Sequence, residues 1–164
     1  MKLMKIARAF PIAAALTLGF ARVGMAQTAT QTVNFQVTAI NQIAVTGGAQ
    51  TLIVNTAVAG SAPTAATSSV TWAITTNQTG SKVSAAIDAT MPTGLTLSAA
   101  MGAPAGAATA GTQALTTTAV DLVTGITKLA ASGMALTYTL DATAAAGVVA
   151  SGSRVVTFTV YGGA

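Results

Sequence analysis

Met134-Ala135-Leu136-Thr137-Tyr138-Thr139-Leu140 decides the fold. Its large apolar residues fall on every second position, with Ala or Thr between them. Wound as a helix, these side chains would scatter around the axis; extended as a strand, they share one face. Moving outward, the same period recurs. Val156, Phe158 and Val160 alternate with Thr157 and Thr159; Val70, Trp72 and Ile74 alternate with Thr71, Ala73 and Thr75. Val83, Ala85 and Ile87 repeat it, as do Leu95 and Leu97, and so do Val33, Phe35 and Val37 around Asn34 and Gln36. Weaker strand candidates are Gln42–Thr46, Gln50–Asn55, Gln113–Thr118 and Ala119–Thr124. The sum is about nine or ten short strands.

Turn residues separate them. Gly47-Gly48 is placed to close a tight hairpin between the two short strands that flank it. Asn77-Gln78-Thr79-Gly80-Ser81 matches the glycosylation sequon and reads as a polar turn, and Met91-Pro92-Thr93-Gly94 as a Pro-x-Gly turn. The Ala/Gly/Pro/Thr-rich stretches Thr56–Thr67 and Ala99–Thr112 are candidate crossovers between sheets, and Thr143–Gly152 is similar. Helix signal is thin: Ile126–Ser132 has room for one turn, and Ala144–Ala146 is cut short by Gly147. Short alternating strands with frequent turns predict an all-β fold, an antiparallel β-sandwich of immunoglobulin-like or jelly-roll character. A membrane barrel would carry aromatic girdles and a charged interior; this chain is 4% aromatic and 6% charged.

The charge is unevenly placed. The chain has 164 residues and a formal charge of +4, yet Lys2, Lys5, Arg8 and Arg22 all precede residue 27. Beyond them, Lys82, Lys128 and Arg154 balance Asp88, Asp121 and Asp141. Residues 1–26 have the parts of a cleaved secretory signal peptide: a basic start, the apolar run Ile12–Ala21, and small residues at Gly24 and Ala26 before the cut. The apolar run is shorter than the roughly 20 residues of a spanning helix. Residues 27–164 are then one β-sandwich domain with no membrane span. The expected location is secreted, extracellular or on the cell surface, with the periplasm as the alternative. A neutral mature chain predicts no nucleic-acid partner.

Composition also bears on chemistry. His and Cys are absent, so the usual base of nucleophilic catalysis and the usual zinc and copper ligands are missing. Ser81-Lys82 is an adjacent pair without a helper, and Asp88, Asp121 and Asp141 belong to no acid/base or calcium motif. No catalytic, metal or cofactor site is expected, and the chain reads as a non-enzyme. Trp72 and Tyr138 lie on apolar strand phases and should be core, whereas Tyr161 should lie near the surface.

The leader, the strand Gln31-Thr32-Val33-Asn34-Phe35-Gln36-Val37-Thr38 and the closing Val155-Val156-Thr157-Phe158-Thr159-Val160-Tyr161 together give a pattern. It resembles secreted bacterial β-sandwich subunits of fibres and surface matrices, pilin-like in style. That resemblance implies a structural or adhesive subunit, with a terminal strand of one copy completing the sheet of the next. Gln27–Ala39 is the candidate exchanged segment, with Val33, Phe35 and Val37 as the inserted side chains. The same segment also reads as the first strand of a self-complete domain. The alternative function is a small soluble binding module, for a glycan for example, using Tyr161 and the long loops.

Overall fold

The computed structural model describes residues 27–163, and every regular element there except one 3-10 turn is a β-strand. Residues 1–26, expected from the sequence to be a cleaved signal peptide, lie outside the described residues. The chain divides after Gln36. Residues 27–36 hold no strand or helix, and all the strands belong to the unit that follows.

Nine strands form two antiparallel sheets: β1 (Asn41–Val45), β2 (Ala66–Thr76), β3 (Ser81–Ile87), β4 (Leu95–Met101), β5 (Ala108–Thr109), β6 (Thr112–Ala114), β7 (Val120–Ile126), β8 (Leu129–Ala142) and β9 (Val156–Tyr161). The first sheet has the order β1-β2-β8-β4-β6 and the second β5-β7-β3-β9, so the fold is an antiparallel β-sandwich. Strand β8, which contains the opening heptad, is the centre of the larger sheet. Its Leu136 and Tyr138 stand opposite Val70 and Ser68 of β2 and Met101 and Ala99 of β4.

The core lies between the sheets. Trp72, Ile74, Leu97, Met101, Leu136 and Tyr138 come from one side; Val83, Ala85, Ile87, Leu122, Val123 and Ile126 come from the other. Trp72 and Tyr138 are buried, as their strand phase predicts. The indole N–H of Trp72 donates to the Gly102 carbonyl at 3.1 Å, so its one polar group is satisfied. Trp72→Ala should therefore cost about 3–5 kcal/mol in stability. Burial also raises the pKa of the Tyr138 phenol. The β3–β7 ladder shifts register between Val83 and Ser84, and on β7 the consecutive residues Leu122 and Val123 are both buried.

Turns follow the expected chemistry where one residue must take a left-handed backbone. Gly94 has φ +80°, and the amide of Leu95 donates back to Pro92. A Cβ at Gly94 would come within 2.8 Å of Ala146 and Thr143, so both shape and φ demand glycine.

Several expectations are corrected. Val33–Val37 enters neither sheet. Gly47-Gly48 does not close a hairpin between its neighbours; β1 pairs with β2 instead, Asn41 opposite Thr76 through Val45 opposite Trp72. Gln50–Asn55 keeps a strand-like alternation of burial but has no ladder. Thr56–Thr67 returns to its own sheet, whereas the other two long stretches cross between sheets. Ile126–Ser132 holds no helical turn, because only two residues separate the end of β7 from the start of β8 at Leu129. A non-glycine left-handed residue, Lys128 (φ 40°), makes that reversal. Ala144–Ala146 is a single 3-10 turn.

Candidate functional site

The expected exchange segment is the most exposed part of the described chain. Every residue from Gln27 to Ile40 is exposed and outside a strand. Val33 is 73% accessible, Phe35 94% and Val37 78%. Large apolar side chains this open are a cost in water, of about 1.5–3 kcal/mol each relative to burial. The segment carries no charge and no Pro, the usual guards against pairing.

The root of the segment is held firmly. Asn77, in the turn after β2, uses both ends of its carboxamide. Its Oδ1 accepts from the Ile40 amide at 2.8 Å, and its Nδ2 donates to the Thr38 carbonyl at 2.7 Å. One step further along, the Thr76 hydroxyl donates to Asn41 Oδ1 at 2.7 Å, and Asn41 Nδ2 donates to Gln78 Oε1. A side chain here imitates a sheet ladder for the residues just before β1. In the sequence Asn77 reads as an ordinary turn residue, with nothing to mark this role beyond its place directly after an alternating strand.

A second feature lies at the far end of β1. Strand β1 covers β2 only as far as Trp72, with one more backbone bond from the Thr46 amide to Thr71. From Ala66 to Val70 the outer edge of β2 has no ladder partner among the described residues. In the other sheet the edge strand β9, which pairs with β3 on one side only, comes close to β1. A cavity of about 330 Å³ opens there, walled by Leu97, Tyr138, Val156 and Phe158 from the sheets. Gln50 and Leu52 add to the wall, with Thr46 and Arg154 giving it a polar side. Leu52 packs against the core, and the Ser68 hydroxyl of β2 donates to Gln50 Oε1. Otherwise Gln50–Asn55 is loosely held: its backbone makes no backbone hydrogen bond among the described residues, and Ile53 is exposed.

The charged residues sit elsewhere. On the outer face of the second sheet Lys82 Nζ lies 3.0 Å from Asp121 Oδ2, and the Ser84 hydroxyl donates to Oδ1 of the same carboxylate. The Ser84 bond first, and Lys82 second, hold the Asp121 pKa below the ordinary carboxylate range. Lys82 also stands 5.4 Å above the Tyr161 ring, covering one face of an aromatic that is otherwise half open. Ser81 is buried against Thr76, while Lys82 turns to Asp121, so neighbours in sequence point to opposite faces. Asp88 Oδ1 accepts from the Val155 amide. Arg154 donates to the carbonyls of Ala89 and Thr90 and so ties the start of β9 to the turn after β3. No group of three metal-ligating side chains comes together among the described residues, and no helix there is long and apolar enough to cross a membrane.

The sequence matches no protein-family model and no curated protein.

Proposed function

We propose that the exported chain is a non-enzymatic structural or adhesive subunit of an extracellular fibre, matrix or cell surface, joined to copies of itself by strand addition. The observation that carries this function is the state of Val33, Phe35 and Val37. They have the period of a strand and the side chains of a core, and in the single chain they meet water. Pairing them with another copy removes that apolar surface from water and gives a run of backbone groups their ladder partners. The secreted destination fits the leader read in residues 1–26, and the lack of charge on the segment leaves nothing to repel a like copy.

Phe35→Asp tests the function cleanly, because an exposed Phe35 contributes little to the fold of the single chain. Sedimentation and electron microscopy of the mature protein should show filaments or higher oligomers that the variant loses, with circular dichroism and melting temperature unchanged. A wild-type protein that stays monomeric at high concentration, or that binds glycans on an array as a monomer, contradicts the proposal.

A further inference from the structure

We infer that the seat for the incoming strand is the seam between Ala66–Val70 of β2 and the outer side of β9, and that Gln50–Val54 fills this seat in the single chain until a second copy's Val33–Val37 displaces it. The inference rests on the strand-addition function proposed above and adds the acceptor and its internal occupant.

Four edges are open to a new strand. β5 and β6 have two and three residues, too few to hold a segment with three apolar anchors. The outer side of β1 adjoins no cavity for most of its length; only Val45, at its end, reaches the seam. The seam has both requirements. Within the uncovered run Ala66–Val70, Thr67 and Ser69 turn their backbone groups outward, in phase with Thr71, and the cavity reached through Gln50 is bordered by the inner-phase Val156 and Phe158 with Leu97 and Tyr138, alongside the polar Thr46 and Arg154. A strand laid along this edge sends every second side chain into the cavity. Val33, Phe35 and Val37 have that spacing, and neither they nor the residues between them carry charge.

The present occupant imitates a strand without being one. Gln50, Leu52 and Val54 are half-buried while Thr51, Ile53 and Asn55 are exposed, the alternation of a paired segment. Yet the segment is fastened by side chains alone: Leu52 in the core wall, and Gln50 to Ser68 and to the carbonyls of Gly47 and Gly48. An arriving strand forms the backbone bonds that this segment lacks and supplies three large apolar side chains in place of one Leu and one Val. Exchange is thus favoured by the bonds gained, and the occupant keeps the core wall closed before it happens.

Amide hydrogen exchange on separated monomer and polymer of the mature protein tests this seat. In the polymer, Val33–Val37 and the outward amides of Thr67 and Ser69 should become protected together while Gln50–Asn55 exchanges at least as fast as in the monomer. Gln50→Ala, and independently Ser68→Ala, should speed assembly about fivefold, the scale of one lost hydrogen bond. Both positions lie outside the buried core, so the variants keep the fold. Polymer that protects Val33–Val37 but leaves Thr67 and Ser69 unchanged overturns the seat while strand addition stands. Protection of Val33–Val37 together with Thr67 and Ser69 in the monomer overturns it as well, since the chain then fills its own seam. Wild-type assembly rates in both variants overturn the displacement step. Failure to polymerise at any concentration overturns the underlying function instead.

Discussion

Val33-Asn34-Phe35-Gln36-Val37 and Val156-Thr157-Phe158-Thr159-Val160 share one pattern, Val-x-Phe-x-Val, near opposite ends of the chain. Their fates differ completely. The second is β9, paired residue by residue with β3 from Val156 opposite Ile87 to Tyr161 opposite Lys82, its Val and Phe side chains packed against the core. The first has no strand, and its Phe is almost wholly in water. Alternation records that a segment is able to lie on a sheet. Whether it does so depends on an available edge, which no local pattern encodes.

The sharpest contrast comes from placing the same charge in both segments. Phe158→Asp puts a carboxylate where a ring packs against the core and should remove most of the stability, seen as lost cooperative melting. Phe35→Asp should leave the monomer's melting curve unaltered and abolish only assembly. Equal destabilisation by the two would mean that the first segment is an intrinsic strand after all.

A milder pair of truncations sharpens the same point. Phe158→Ala should cost about 2–3 kcal/mol in denaturant titration, below the range for a fully buried Phe because β9 is an edge. Phe35→Ala should stay within about 0.5 kcal/mol, as for other exposed positions.

The root of the first segment lies between these extremes. Asn77→Ala removes two side-chain bonds to Thr38 and Ile40, and should cost about 1 kcal/mol and speed exchange of the Ile40 amide.

The smallest effect is electrostatic and falls on the β9 side alone. The Asp121 pKa is lowered in the folded chain by Ser84 and Lys82, so ionised Asp121 favours folding. That contribution is present above the carboxylate's unfolded pKa and is lost as the pH falls through the depressed folded value. Because Lys82 and Asp121 are both partly exposed, solvent and salt weaken it. Asp121→Asn should flatten the acid limb of the stability profile slightly. Val33–Val37 has no titratable side chain and should show no such dependence.

The heptad Met134–Leu140 and the segments around Trp72, Val83, Leu97 and Phe158 were legible as strands because each finds a core to bury its apolar phase. Burial of Trp72 and Tyr138 followed from phase alone. Three things were not legible. The Gly47-Gly48 hairpin looked sound locally, but β1 gains a longer partner in β2. The β7–β8 reversal at Lys128 carries no Gly or Pro to announce it. The roles of Asn77 and of Gln50–Val54 depend on neighbours 18 to 39 residues away in the chain. The alternation of Val33, Phe35 and Val37 was visible in the sequence, whereas their exposure outside both sheets was not.

The most direct measurement is amide exchange at Val33–Val37 in the monomeric mature protein and in its assembled form. The account predicts unprotected exchange in the monomer and strong protection after assembly. Strong protection already in the monomer would make these residues the first strand of a self-complete domain and contradict the account.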